Sequence, residues 1–179
     1  MSREALARLD LDEVWWLVSP QNPLKAKRGM ASFARRMEAA AKVAAGEKRV
    51  RVVDLEARLG TRYTVDTVRA LGRRWPRIRF VWLMGADILV ELPRWKRWAE
   101  LFRRIPVAVF ARPQYCAKSL AGKVSLRFRR HRAGPRAARR LAALPPPAWA
   151  FLPMPLDSSS GTALRRPRAR KPLASVMKR

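Results

Sequence analysis

The chain has 179 residues, 49% of them hydrophobic, which suffices for one packed domain and makes a second core unexpected. Forty Lys and Arg against thirteen Asp and Glu give a net charge of +27, a field that attracts polyanions without choosing among nucleic acid, acidic membrane surfaces and phosphorylated metabolites. The single cysteine, Cys116, excludes an intrachain disulfide and a multi-cysteine zinc site, and no run of about 18 apolar residues is present to span a bilayer, so a cytoplasmic protein is expected.

In chain order, residues 4–9 read as a short helix, with Ser2 as its N-cap and Ala5, Leu6 and Leu9 on one face. VWWLV at 14–18 reads as a buried strand, ended by the prolines of SPQNP at 19–23. That places Asn22 in a loop just past a strand end. Residues 31–45 have the alanine content and periodicity of an amphipathic helix, with Phe33, Met37 and Ala41 inward and Arg35, Arg36 and Lys42 outward. A second strand is expected at 50–55 and a turn at 60–63. Thr64 then caps a helix to about Arg74, with Asp66 in its first turn, where negative charge favours the dipole. A third strand, 79–84, stops at the polar break Gly85-Ala86-Asp87.

Residues 95–104 read as a helix with Trp95, Trp98, Leu101 and Phe102 on a common side, and IPVAVF at 105–110 as a buried strand. From 114 to 147 the periodicity weakens into a cationic run, FRRHRAGPRAARR, in which the one histidine, His131, reads as a solvated loop residue. A short helix is expected at 135–144 and a last strand at 148–152. DSSSGT at 157–162 reads as an N-cap cluster opening a helix, and the prolines and charges from 167 to 179 as a disordered basic tail. Strands alternating with helices predict an α/β fold, a mostly parallel sheet covered by helices on both faces.

The loops around Asn22, at 61–64 and at 85–87 fall at strand ends on one edge of such a sheet, where open α/β sheets bind ligands. Trp95 and Trp98 among Arg94, Lys96 and Arg97 suit a planar anionic ligand, although i, i+3 tryptophans also suit plain core packing. The serine cluster with Arg165 has the parts of a phosphate-binding helix N-terminus, and equally those of an ordinary surface cap. No Gly-rich phosphate loop, metal-ligand spacing or nucleophile–histidine pair is present, so covalent catalysis has no support and no catalytic residue or metal ligand is assigned.

Five segments, WWLVSPQNPLK at 15–25, LGTRYTVDT at 59–67, FVWLMGAD at 80–87, RWKRW at 94–98 and TALR at 162–165, resemble in that order the bacterial nicotinate-nucleotide adenylyltransferases, over residues 3–166. The resemblance implies a Rossmann-like nucleotidyltransferase domain at 1–166. It also implies transfer of the adenylyl group of ATP to nicotinate mononucleotide, with Mg²⁺, giving deamido-NAD and pyrophosphate. By matching motifs, Asn22, Tyr63, Thr64, Gly85, Asp87 and Trp95 would line the mononucleotide side, Trp95 stacking on the pyridine ring, and Ser159, Ser160, Thr162 and Arg165 would hold ATP phosphates.

The departures carry as much information. The family opens on a strand and a Gly-Ser-Phe-Asn-Pro-x-His-x-Gly-His type loop whose histidines bind ATP phosphates, and neither stands ahead of residue 3 here. The expectation is an N-terminally truncated sequence, less stable and less active than one extended upstream. Ile88 stands where many relatives have Asn, Lys96 where some have Tyr, and Gly161 where the phosphate motif usually has a second Ser. The competing readings are a basic protein that binds nucleic acid nonspecifically through its arginine runs, and a catalytically degenerate relative.

Overall fold

Apolar runs too short for helices supply the strands. The computed structural model describes residues 1–20 and 31–154. Its elements run α1 (Ser2–Arg8), β1 (Val14–Leu17), α2 (Phe33–Ala44), β2 (Val50–Val53), α3 (Leu55–Arg58), α4 (Thr64–Arg74), β3 (Trp82–Gly85), α5 (Ala86–Glu91), α6 (Trp98–Arg104), β4 (Val107–Phe110), α7 (Cys116–Leu120), α8 (Lys123–Arg127), α9 (Pro135–Ala138) and β5 (Trp149–Leu152). All pairing is parallel. β1 pairs with β2, Val14 opposite Val50, and a separate sheet runs β3-β4-β5, with Trp82 opposite Val107 and Val107 opposite Trp149.

Side chains alternate across these strands, so each sheet face has its own core. On one face Ala108 and Phe110 of β4 and Ala150 and Leu152 of β5 join Leu6 and Leu9 at α1, Val14, Val50 and Leu141. On the other, Val107, Val109 and Trp149 pack with Leu89 of α5, Leu101 and Phe102 of α6, Val124 of α8 and Phe128. Phe102 stacks on Phe128 with ring centroids 4.8 Å apart. The indole N–H of the buried Trp149 donates to the Phe128 carbonyl at 2.9 Å, so its one polar group is satisfied. This is the expected α/β layering, with helices on both faces of parallel strands.

Several local expectations are corrected. Ser2 is not the N-cap of α1; it lies inside the helix, and its hydroxyl accepts from the Trp16 indole at 2.9 Å instead. Thr64 is the first residue of α4 rather than its cap, which is Tyr63. Ala41 is exposed, and only Ala44 of α2 is buried. Arg36, expected outward, folds back and donates to the carbonyls of Ser19 and Pro20 after β1 and of Ala31 ahead of α2. The strand expected at 50–55 ends at Val53 and passes into α3, a one-turn helix the sequence reading missed. Trp95 is not helical. A 3₁₀ turn at Leu92–Arg94 leads into extended Trp95, and Arg97 takes φ +53 before α6 begins at Trp98. The helix expected at 135–144 is shorter: α9 spans Pro135–Ala138 and a 3₁₀ turn follows at Leu141–Ala143.

Candidate active site

The C-terminal end of β3 builds the first part of the site. Gly85 ends the strand and is the N-cap of α5, so Asp87 falls in the first turn, where its charge suits the helix dipole. The chain does not merely turn at Gly85-Ala86-Asp87; a helix starts there at once. A Cβ on Gly85 would collide with Asp87 Oδ1 and come within 2.9 Å of Arg112 Nε. A side chain there would have to push the Asp87 carboxylate and the Arg112 guanidinium aside. Arg112, two residues past the end of β4, brings Nε to 3.2 Å from Asp87 Oδ1. The angle is wrong for a hydrogen bond, and Oδ1 is buried without a hydrogen-bond partner among the described residues. A buried carboxylate oxygen with a cation beside it and no donor on it is a ready acceptor for a ligand hydroxyl or amide.

The second part lies where α4 meets the loop before α6. The buried Thr67 hydroxyl sits 2.8 Å from that of Thr61 and donates to the Tyr63 carbonyl, which pins the 61–64 turn to the helix it opens. Gly60 at φ +61 allows the reversal ahead of it. Lys96 Nζ lies 4.5 Å from the centroid of the Tyr63 ring, so Tyr63 and Thr64 share a neighbourhood with the loop carrying Trp95. Ion pairs hold that neighbourhood together. Arg97 bonds to Asp66 in the first turn of α4, and Arg69 of α4 bonds to Glu100 of α6 at 2.5 Å, while Arg104 takes the same Glu100 oxygen at 2.5 Å. The hydrogen bond from Arg104, then that from Arg69, holds the Glu100 carboxyl below its usual pKa against the opposing pull of burial.

Of the residues proposed from sequence, Gly85 and Asp87 meet at one strand end, and Tyr63, which precedes Thr64, lies against Lys96, the residue after Trp95. Trp95 packs partly against the core face shared by Leu92 and Leu101, as the core-packing reading of its spacing expects. Asn22, Ser159, Ser160, Thr162 and Arg165 lie outside the described residues. Arg36 grips both ends of the 21–30 segment that carries Asn22, through Ser19 and Pro20 on one side and Ala31 on the other. Sequence reasoning missed Arg112 and Arg36. For Arg112 the signal was its place after a buried strand; Arg36 looked like any charge on an exposed helix face.

Among the described residues no three of His, Cys, Asp and Glu converge to hold a metal ion. The Asp87 carboxylate at the β3 end faces Arg112. No helix of the described residues is long and apolar enough to cross a membrane.

Against known proteins, a family model described as cytidylyltransferase-like matches residues 1–166. A probable nicotinate-nucleotide adenylyltransferase of Parvibaculum lavamentivorans is 50% identical over 165 residues, covering 92% of this chain and 82% of that protein. One from Cereibacter sphaeroides is 48% identical over 165 residues, covering 92% and 86%. Among solved structures, the Plasmodium falciparum nicotinic acid mononucleotide adenylyltransferase complexed with NaAD superposes with a TM-score of 0.58 over 83% of this chain, at 13% identity. That is a likeness of fold, and the chain spans 63% of the length of that structure's chain.

Proposed function

The chain belongs to the cytidylyltransferase-like family, and from that membership we propose that it transfers the adenylyl group of ATP to nicotinate mononucleotide, forming deamido-NAD and releasing pyrophosphate. A mononucleotide phosphate oxygen attacks the α-phosphorus of ATP in line; the new P–O bond forms as the bond to pyrophosphate breaks. The nucleophile is already an anion, so no protein base or covalent intermediate is required. What the protein supplies is position and positive potential, and a chain of net charge +27 is suited to gathering two polyanions. Mg²⁺ enters as the counter-ion of the ATP substrate.

In this reading Trp95 stacks on the pyridine ring, with Asn22, Tyr63, Thr64, Gly85 and Asp87 around the mononucleotide. Ser159, Ser160, Thr162 and Arg165 take the ATP phosphates. Residues 1–166 form the catalytic domain and 167–179 a basic tail. The observation that carries the geometry is the buried, undonated Oδ1 of Asp87 beside Gly85 at a parallel strand end. It offers a charged acceptor to a nucleotide hydroxyl where open α/β sheets bind ligands. Calorimetric titration with nicotinate mononucleotide and with ATP tests the reading. Binding of both is expected, with Asp87→Ala weakening the mononucleotide roughly tenfold or more, the scale of a charge-assisted hydrogen bond. Gly85→Ala should do the same by displacing Asp87. Failure of both ligands to bind, or an Asp87→Ala protein that binds as tightly as the parent, overturns it.

A further inference from the structure

From Leu101 to Leu156 the sequence holds no Asp or Glu. Part of that stretch runs along the outer edge of β5: Arg132 bridges Trp149 in parallel, and the Ala133 N–H donates to the Trp149 carbonyl at 2.7 Å. Ahead of it, a 3₁₀ turn at Arg129–His131 follows α8. Lys123, Arg127, Arg129, Arg130 and Arg132 therefore share one short strip, 123–132, and all five are exposed. The ion pairs of the acid-free stretch lie elsewhere, on Arg104, Arg112 and Arg139, and among the described residues none of the five meets a carboxylate.

Two of these cations are held on aromatic rings instead. Arg127 Cζ lies 5.6 Å from the Trp98 ring centroid, and Arg132 Cζ lies 5.5 Å from that of Trp149 and 5.6 Å from that of Phe151. The rings belong to one cluster: Trp98 meets Phe128 edge-on at 6.2 Å, and the Phe128 carbonyl accepts from the Trp149 indole. A ring orders a planar guanidinium without cancelling its charge, as a carboxylate would. Because both arginines are exposed, the second face and the N–H edge of each meet solvent. The edge fits a phosphate in fork geometry, and the face fits a flat base. We propose that the 123–132 strip is a binding surface for single-stranded nucleic acid, its phosphates paired by the five cations and its unstacked bases laid on Arg127 and Arg132. An anionic membrane or an acidic peptide would use the charge and leave the ordered faces idle, and a duplex keeps its bases stacked on one another.

This inference stands apart from the proposed activity, and its test needs no turnover. Binding of a fluorescein-labelled uridine homopolymer of about 20 nucleotides to the full chain is followed by anisotropy over a range of salt. Arg127→Gln/Arg132→Gln should weaken it about tenfold or more, the scale of lost stacking, and make the salt slope shallower by about 1.4, at roughly 0.7 per phosphate contact on a single strand. Arg127→Lys/Arg132→Lys keeps the charge and loses the planar face, so it should keep the slope while weakening binding about fivefold. Arg129→Gln/Arg130→Gln, which lie over no ring among the described residues, should weaken binding with an unchanged urea midpoint, and so read the strip even if the ring variants misfold. Arg73→Gln/Arg77→Gln removes the same charge from exposed positions elsewhere and should change binding less than about twofold. Equal losses from the 127/132 and 73/77 Gln pairs, a Lys pair as tight as the parent, or displacement of the homopolymer by excess ATP, by a duplex of equal length or by phosphatidylserine vesicles of matched charge would each overturn the proposal.

Discussion

Both half-sheets are built of four-residue parallel strands, yet they differ in burial. All four residues of β4 are buried, whereas only Val14 is buried in β1 and only Val50 in β2. Apolar content does not explain the contrast, because VWWL is no more polar than VAVF. Position does. β4 has a strand on each edge and helices over each face, while β1 has β2 on one edge and a cleft on the other. Trp15 of β1 packs edge-on against Trp75 and Phe80, with ring centroids 5.6 Å apart in each pair.

The comparison is broken or sharpened first by stability. Phe102→Ala removes a fully buried ring from the three-stranded half, stacked on Phe128 and packed near Trp149, and should cost about 3–5 kcal/mol. Val52→Ala, on a half-buried β2 residue, should cost about 1 kcal/mol or less. Urea midpoints measure both, and similar losses would mean that the halves are equally consolidated.

The next effect is on ligand handling. Asp66→Asn weakens the link between the first turn of α4 and Arg97, which fixes the loop carrying Trp95 and Lys96 beside Tyr63. Because the pair is about one-third exposed, stability should fall by no more than about 1 kcal/mol. The dissociation constant for nicotinate mononucleotide should rise roughly tenfold through misplacement of that loop. A large loss of stability with unchanged binding would make the pair purely structural.

The smallest expected effect is on pH dependence. The bonds from Arg104 and Arg69 lower the folded-state pKa of Glu100, so at acid pH the unfolded chain binds more protons at this group than the native one. Its contribution is then complete above the unfolded value of about 4.3 and is lost as pH falls through the lower folded value. Glu100→Gln should flatten the decline in stability below about pH 4.3 and leave its shape near neutrality unchanged. Equal slopes for parent and variant on acid titration would show that the α4–α6 pairs contribute nothing measurable.

Much of the frame and part of the site were legible before any coordinates. The apolar runs at 14–18, 50–55, 79–84, 105–110 and 148–152 located all five strands to within a few residues, because short aromatic and β-branched runs bounded by Pro and Gly have few other uses. Gly85 and Asp87 were visible as a polar break after such a run. The early question at RWKRW, core or ligand platform, had no local answer. The expected common side holds although the helix does not: Arg97 at positive φ breaks the helix ahead of Trp98, yet Trp95 and Trp98 both pack partly against the same core cluster.

Local periodicity records which side chains must leave water, and in this chain that was enough to indicate an α/β protein with polar loops at its strand ends. It holds no record of which partner a backbone edge or a charge meets. Arg112 meets Asp87 because β4 pairs beside β3, and Arg36 reaches Ser19 because α2 packs along β2. The cleft between β1 and β3 exists because hydrogen bonds in a sheet join residues far apart in the chain, and those pairings were decided only when the strands assembled.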